Sequence, residues 1–329
     1  MNRAHAAGLL ALVCLALAGP ATAQAPQPEP VVSIAFVGDI MLADKPGQAI
    51  RRGRDPFAPF AAILDGADIR VGNLECAVAS RGTPAPGKPF TFRAHPRTLD
   101  VLKRHVDALS LANNHSGDYG PLAFSDMLQR LAQRGIGYFG GGADLARAHE
   151  PLVIERKGLR IALLGYNEFM PRSFEAHDDK PGVAWSEDEQ VRFDIARARR
   201  RADLVIPVMH WGWEHEPLAS PRQRQLARLM IDAGADAVVG GHPHVTQDIE
   251  HYRGKPIVYS LGNFIFDGFT DQDNNTGWLL RLELDRQGVR RGQVFVARID
   301  RQGIPHPEPR SAGSCWDREQ PATAPCRQD

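Results

Sequence analysis

Two histidines stand one residue apart in "VVGGHPHVTQ" (238–247), directly behind an apolar run and two glycines. Imidazole is a common metal ligand, so His242 and His244 are either a metal clamp or two unrelated surface residues. Other residues of matching chemistry bear on the choice. Asp39 follows the apolar "VVSIAFVG", and Asn73 and Glu75 follow "IRVG". Asn113, Asn114 and His115 follow "VDALSLA", and His210 follows "ADLVIPVM". Each alone has an ordinary explanation, such as an Asx turn or a solvated strand end. Together they are carboxylates, side-chain carbonyls and imidazoles, which suit a borderline divalent ion such as Mn, Fe or Zn; no thiolate cluster argues for a structural zinc site. Gly38, Gly72, Gly212, Gly240 and Gly241 sit beside them and would let backbone approach an ion or oxyanion closely. In an extended His-Pro-His both imidazoles would project to the same side, facing two ions or clamping one.

Strands must carry these residues to a common place. Apolar stretches at 31–42, 69–75, 106–115, 158–168, 202–212, 235–244 and 255–267 read as strands. The near-continuous "LVIPVM" and "IALLGY" suit strands covered on both faces. Helices are expected at 121–135, with Leu122, Met127, Leu128 and Leu131 on one side, at 186–202, with Ser186 as cap, and at 220–235. Residues 277–304 read as a hairpin. The alternation predicts an α/β domain over 31–304, with two packed sheets. Sites in such sheets form outside the carboxyl ends of the strands, which is where the polar clusters fall.

The 39 basic and 39 acidic residues leave no excess that points to nucleic acid. Residues 1–23 have the form of a secretory signal peptide, with Arg3 before an apolar core and Ala21-Thr22-Ala23 at the cleavage site. This predicts an exported protein of the periplasm or cell envelope, with no transmembrane span in the mature chain. A Pro/Gln linker at 24–30 follows, and residues 305–329 form a Pro-rich tail expected to be poorly ordered. Cys315 and Cys326 in that tail could form one disulfide, leaving Cys76 as a small buried hydrophobe. Trp211 and Trp213 flank Gly212; one could stack on a sugar or ligand, but the favoured expectation is one buried and one partly exposed. Lys88, Arg93 and Arg97 in "GKPFTFRAHPRTLD" could meet an anion or simply be solvated.

The motifs "FVGDIML", "VGNLE", "LSLANNHSGDYG", "VMHWGWE", "GGHPHV" and "YSLGNFIFD", in this order, resemble the poly-γ-glutamate capsule biosynthesis (CapA-type) family, a branch of the calcineurin-like metallophosphoesterases. The resemblance covers residues 33–268 and implies a four-layer α/β/β/α sandwich with two divalent ions at the strand ends. It assigns Asp39, Glu75 and His244 to one ion, with Glu75 bridging to a second held by Asn114, His210 and His242. His115 would contact substrate or protonate the leaving group, oriented by Asp118. Glu214 would serve as an acid or base, and Ser260, Gly262 and Asn263 would line the site. Met41 stands where the wider superfamily carries the histidine of Asp-x-His, and Glu75 where an aspartate is usual. The first ion would therefore be the more weakly held.

The resemblance implies metal-dependent hydrolysis during synthesis or processing of a capsule or other cell-surface polymer, with an anionic polymer or a phosphoester as substrate and capsule assembly proteins as partners. The alternatives are a non-catalytic assembly factor for an anionic polymer, and a periplasmic phosphatase or nucleotidase.

Overall fold

The computed structural model describes residues 1, 30–169, 172, 174–309 and 313–326. The signal-peptide segment and most of the linker lie outside the described residues. No helix among those described is long and apolar enough to cross a membrane.

Strand patterning builds the layers. In Val32–Ile40, Val32, Ile34 and Phe36 enter one apolar cluster while Ala35 and Val37 enter another. Leu159–Asn167 and Leu204–His210 divide the same way. Leu159, Ile161, Leu163, Leu204 and Ile206 join Val32 and Ile34, whereas Ala162, Leu164, Val205 and Met209 face the opposite side. This is the period-two alternation of strands buried on both faces. It produces three cores: one between two sheets, and one between each sheet and its helices. The result is a four-layer α/β/β/α sandwich, as the resemblance implies.

The larger sheet is ten-stranded. Val32–Ile40 pairs parallel to Ile69–Leu74, which pairs parallel to Ala108–Ser110, and on its other side antiparallel to Thr276–Asp285. The second sheet is six-stranded, with Leu159–Asn167, Leu204–His210, Val238–Gly241 and Lys255–Val258 mutually parallel. Parallel strands need crossovers, and the helices Gly120–Gln133, Asp188–Arg199 and Pro221–Asp232 lie in these connections. The last begins with a capping box between Ser220 and Gln223. The hairpin forms from Thr276–Asp285 and Gly288–Ile299.

Three local expectations are corrected. Leu122 is exposed, because five residues before Met127 it lies about 140° round the helix; Ala123 and Phe124 take the buried face instead. The helix expected from Ser186 begins at Asp188, with Glu187 at the N-cap position. Part of the expected disordered tail is sheet. Pro305–Pro307 and Ser314–Asp317 pair with Gly288–Ile299, and Ala324–Pro325 pairs with Ser314–Asp317. Trp316 is the reason: it is buried in the inter-sheet core, against Gly292, where a Cβ would come within 2.0 Å of its ring. Cys315 and Cys326 are disulfide-bonded across this edge.

Cys76 is fully buried, its Sγ accepts the Leu42 N–H at 3.5 Å, and burial pushes its thiol up to about 12. It should therefore resist iodoacetamide in the native chain at mildly alkaline pH and react only on unfolding. Mass spectrometry would show this; rapid native labelling at Cys76 would contradict the packing.

Candidate metal centre

The carboxyl ends of the parallel strands in both sheets meet at one place. Asp39 ends one strand opposite Asn73 of the next, and Glu75 follows directly. His210 ends another opposite Gly241, and His242 follows. Asp39, Glu75, His210, His242 and His244 are all buried. Their ligand atoms form two triplets, Asp39–Glu75–His210 and Glu75–His242–His244, each within 4.8 Å.

Glu75 belongs to both triplets. The other residues divide differently from the implied ligand sets, yet Asp39 also lies 3.8 Å from His244 and His242 lies 3.1 Å from His210, so the five form one continuous cluster. Asn114 completes it, its Oδ1 standing 2.8 Å from His210 Nε2.

The His-Pro-His segment is not extended. His242 and His244 have φ of 98° and 57°, a left-handed conformation uncommon for residues with a Cβ and concentrated at functional sites. The turn places the His242 N–H 3.2 Å from Asp39 Oδ2, to which it donates. Gly241 makes this approach possible, since a Cβ there would stand 2.8 Å from Asp39 Oδ1.

A ring of amides fixes the ligands, a shell of the kind that orients metal-binding side chains. Asn73 Nδ2 donates to Asp39 Oδ1 at 2.8 Å, and Asn73 Oδ1 accepts from Asn113 Nδ2 at 2.9 Å. Asn263 Oδ1 lies 2.8 Å from His244 Nδ1, so Nδ1–H donates to it and Nε2 turns toward Glu75, 3.9 Å from Oε1. Ser260 and Gly262, expected to line the site, engage backbone instead. Ser260 Oγ donates to the Val245 carbonyl at 2.7 Å, and the Gly262 carbonyl accepts from Asp39 N at 3.0 Å.

The electrostatics show which ligand the cluster suits. Neither Glu75 oxygen, nor His242 Nε2, has a hydrogen-bond partner among the described residues. Burial raises Asp39, and burial together with the Asp39 carboxylate raises Glu75 well above the usual carboxylate range. Burial and neighbouring imidazoles hold His210 and His242 far below the usual histidine range. Two buried acids and neutral imidazoles with orphaned lone pairs are the donor set of a divalent cation, so the residues fit the ions the fold implies. Met41 is wholly buried, and its sulfur accepts from Ala43 N at 3.2 Å.

His115 lies at the cluster's flank, its Nδ1 2.7 Å from Asp118 Oδ2 and its ring 4.5 Å from that of Phe92. Burial lowers its basicity. Glu214 stands in the exposed loop after His210, where its charge helps raise Glu75. Trp211 is buried, donating to the Tyr259 carbonyl at 2.8 Å, while Trp213 is exposed and meets Phe169, whose ring lies 3.9 Å from that of His242. Arg93 packs over Tyr119. Lys88, which the sequence leaves between an anion contact and plain solvation, is drawn into the site's wall.

Paired sheets with carboxylates and imidazoles gathered at their strand ends define a calcineurin-like metallophosphoesterase fold. A 5'-nucleotidase precursor from Thermus thermophilus shares it, with TM-score 0.52 and 14% identity over 84% of this chain and 56% of that one. Residues 33–268 match the family model "Bacterial capsule synthesis protein PGA_cap", and the chain belongs to that family. Its relatives include the PGA biosynthesis protein CapA of Bacillus subtilis, 35% identical over 80% of this chain and 70% of that protein. The capsule biosynthesis protein CapA of Bacillus anthracis is 32% identical over 72% of this chain and 60% of that protein.

Proposed function

We propose that this chain is an exported, metal-dependent hydrolase acting in the synthesis or processing of capsule poly-γ-glutamate or a similar anionic surface polymer. The observation that carries the reading is Glu75, a wholly buried carboxylate with both oxygens unpartnered among the described residues, set among Asp39, His210, His242 and His244. The polymer is suggested by what the relatives are named for.

Asp39, Glu75, Asn114, His210, His242 and His244 would hold two divalent ions. When bound, such ions supply Lewis acidity and lower the pKa of a water. The chain's own contribution is orientation and proton handling. Asn73 and Asn263 lock Asp39 and His244 in place. Asp118 holds the His115 ring through Nδ1, leaving Nε2 to pass a proton to the leaving group, and its carboxylate would steady the imidazolium so formed. Glu214, exposed at the rim, would serve as a further acid or base.

His115→Asn should retain the metal and lower turnover by roughly 10²- to 10⁴-fold. Elemental analysis and a hydrolysis assay on phosphodiester and polymer substrates check both halves. Unchanged turnover would remove His115 from the mechanism.

A second reading, a non-catalytic assembly factor for the same polymer, draws on Met41. This buried thioether leaves the first motif without the imidazole of the wider superfamily. Saturable polymer binding by the metal-loaded chain with no turnover would support it.

A further inference from the structure

We propose that Lys88 forms an anion-binding subsite beside the metal centre, which receives a carboxylate or phosphate oxygen of the substrate next to the bond that reacts. The inference rests on the proposed function only for where that bond lies.

The Lys88 side chain enters the site from the loop before Phe92. Its Nζ lies 2.5 Å from Asp118 Oδ1, 2.6 Å from the Asn114 carbonyl and 3.3 Å from His115 Nδ1. An ammonium has three donors. Asp118 and the Asn114 carbonyl take two of them. His115 Nδ1 cannot accept the third while its own proton is given to Asp118 Oδ2. One N–H of a largely buried cation is thus left over, and the Lys88 side chain keeps 27% of its surface exposed, whereas Asp118 keeps none.

The pair is therefore a dipole with its negative end sealed in. Asp118 Oδ2 also accepts the Phe92 N–H at 2.6 Å, so the carboxylate is saturated by protein donors. The positive end lies outward, one residue's reach from Asn114 and His115. A partly desolvated ammonium with a spare donor holds an anionic oxygen more strongly than a fully hydrated surface lysine. Structural tethering alone would be served by the two filled bonds.

The test measures equilibrium binding of two probes, inorganic phosphate and a short γ-linked glutamate oligomer, to the metal-loaded chain. Lys88→Met should weaken the preferred probe by about tenfold or more, and Lys88→Arg should restore most of the loss. The probe that loses more affinity identifies the anion as phosphate or carboxylate. Metal content and melting temperature are followed in parallel, because loss of a merely structural lysine would lower those and leave the probe affinity of the metal-loaded chain unchanged. Equal binding by parent and Lys88→Met, or no binding of either probe to the parent, overturns the inference. Lys88-dependent binding without hydrolysis leaves it standing and removes the hydrolase reading instead.

Discussion

Glu75→Gln should lose metal and metal-dependent turnover while making the metal-free chain more stable. The carboxylate is fully buried, its oxygens meet no donor among the described residues, and its nearest imidazole contacts, His210 and His244, stand at 3.5 and 3.9 Å. Burial and the Asp39 carboxylate push Glu75 well above the usual carboxylate range. The metal-free chain near neutral pH therefore loses stability either by holding the charge or by taking up a proton on folding. Glutamine keeps the shape and removes the charge, so apoprotein stability should rise by about 1–2 kcal/mol, the usual trade between stability and a strained functional site. Thermal melts of both chains in chelator, beside elemental analysis, check this. A Glu75→Gln variant that keeps its metal and activity, or one less stable without metal than the parent, would contradict the assignment of Glu75 as the central ligand.

The second large effect is steric. A Cβ at Gly38 would lie 2.0 Å from the Gly262 carbonyl oxygen, 2.9 Å from its carbon and 3.2 Å from the Asn263 carbonyl carbon. All three are backbone, so no side chain can swing aside. The Asp39 N–H donates to that same Gly262 carbonyl, and Asn263 fixes His244. Gly38→Ala must push the 262–263 segment away and so pull at both ends of the metal cluster. A loss of about 3 kcal/mol is expected, with the metal lost as well. Gly53→Ala is the control, because Gly53 has a positive φ of 78° but meets nothing within 4 Å. It should cost about 1 kcal/mol and leave metal binding intact. Equal losses in urea melts of the two variants would show that backbone crowding at Gly38 is not what matters.

The gathering of these side chains is readable in the sequence because of strand directions. Parallel strands all deliver their carboxyl ends to one edge, so a polar residue after each apolar run marks the same region of space. Asp39, Glu75, Asn114, His210, His242 and His244 converge on that basis. What pairs with what was not readable. The conformation of His-Pro-His depends on Asp39 accepting a bond from His242 N across a sequence gap that no local rule spans. Asn73 was visible as a strand-end residue, but its part in holding Asp39 follows from the register between neighbouring strands. Lys88 lies in a loop with no periodicity, and only tertiary contact separates a solvated lysine from one lodged against Asp118. The ordered part of the tail escaped for a similar reason. Its composition argues for disorder, and the docking of Trp316 on Gly292, long-range and specific, overrides it.

The central claim is that this cluster holds metal. Elemental analysis of residues 24–329, purified without chelator, beside the His242→Ala, His244→Ala double variant, tests it most directly. The proposed function predicts about two divalent ions per chain in the parent and their loss from the variant. No more than a trace in both, even after incubation with Mn or Zn, would contradict it.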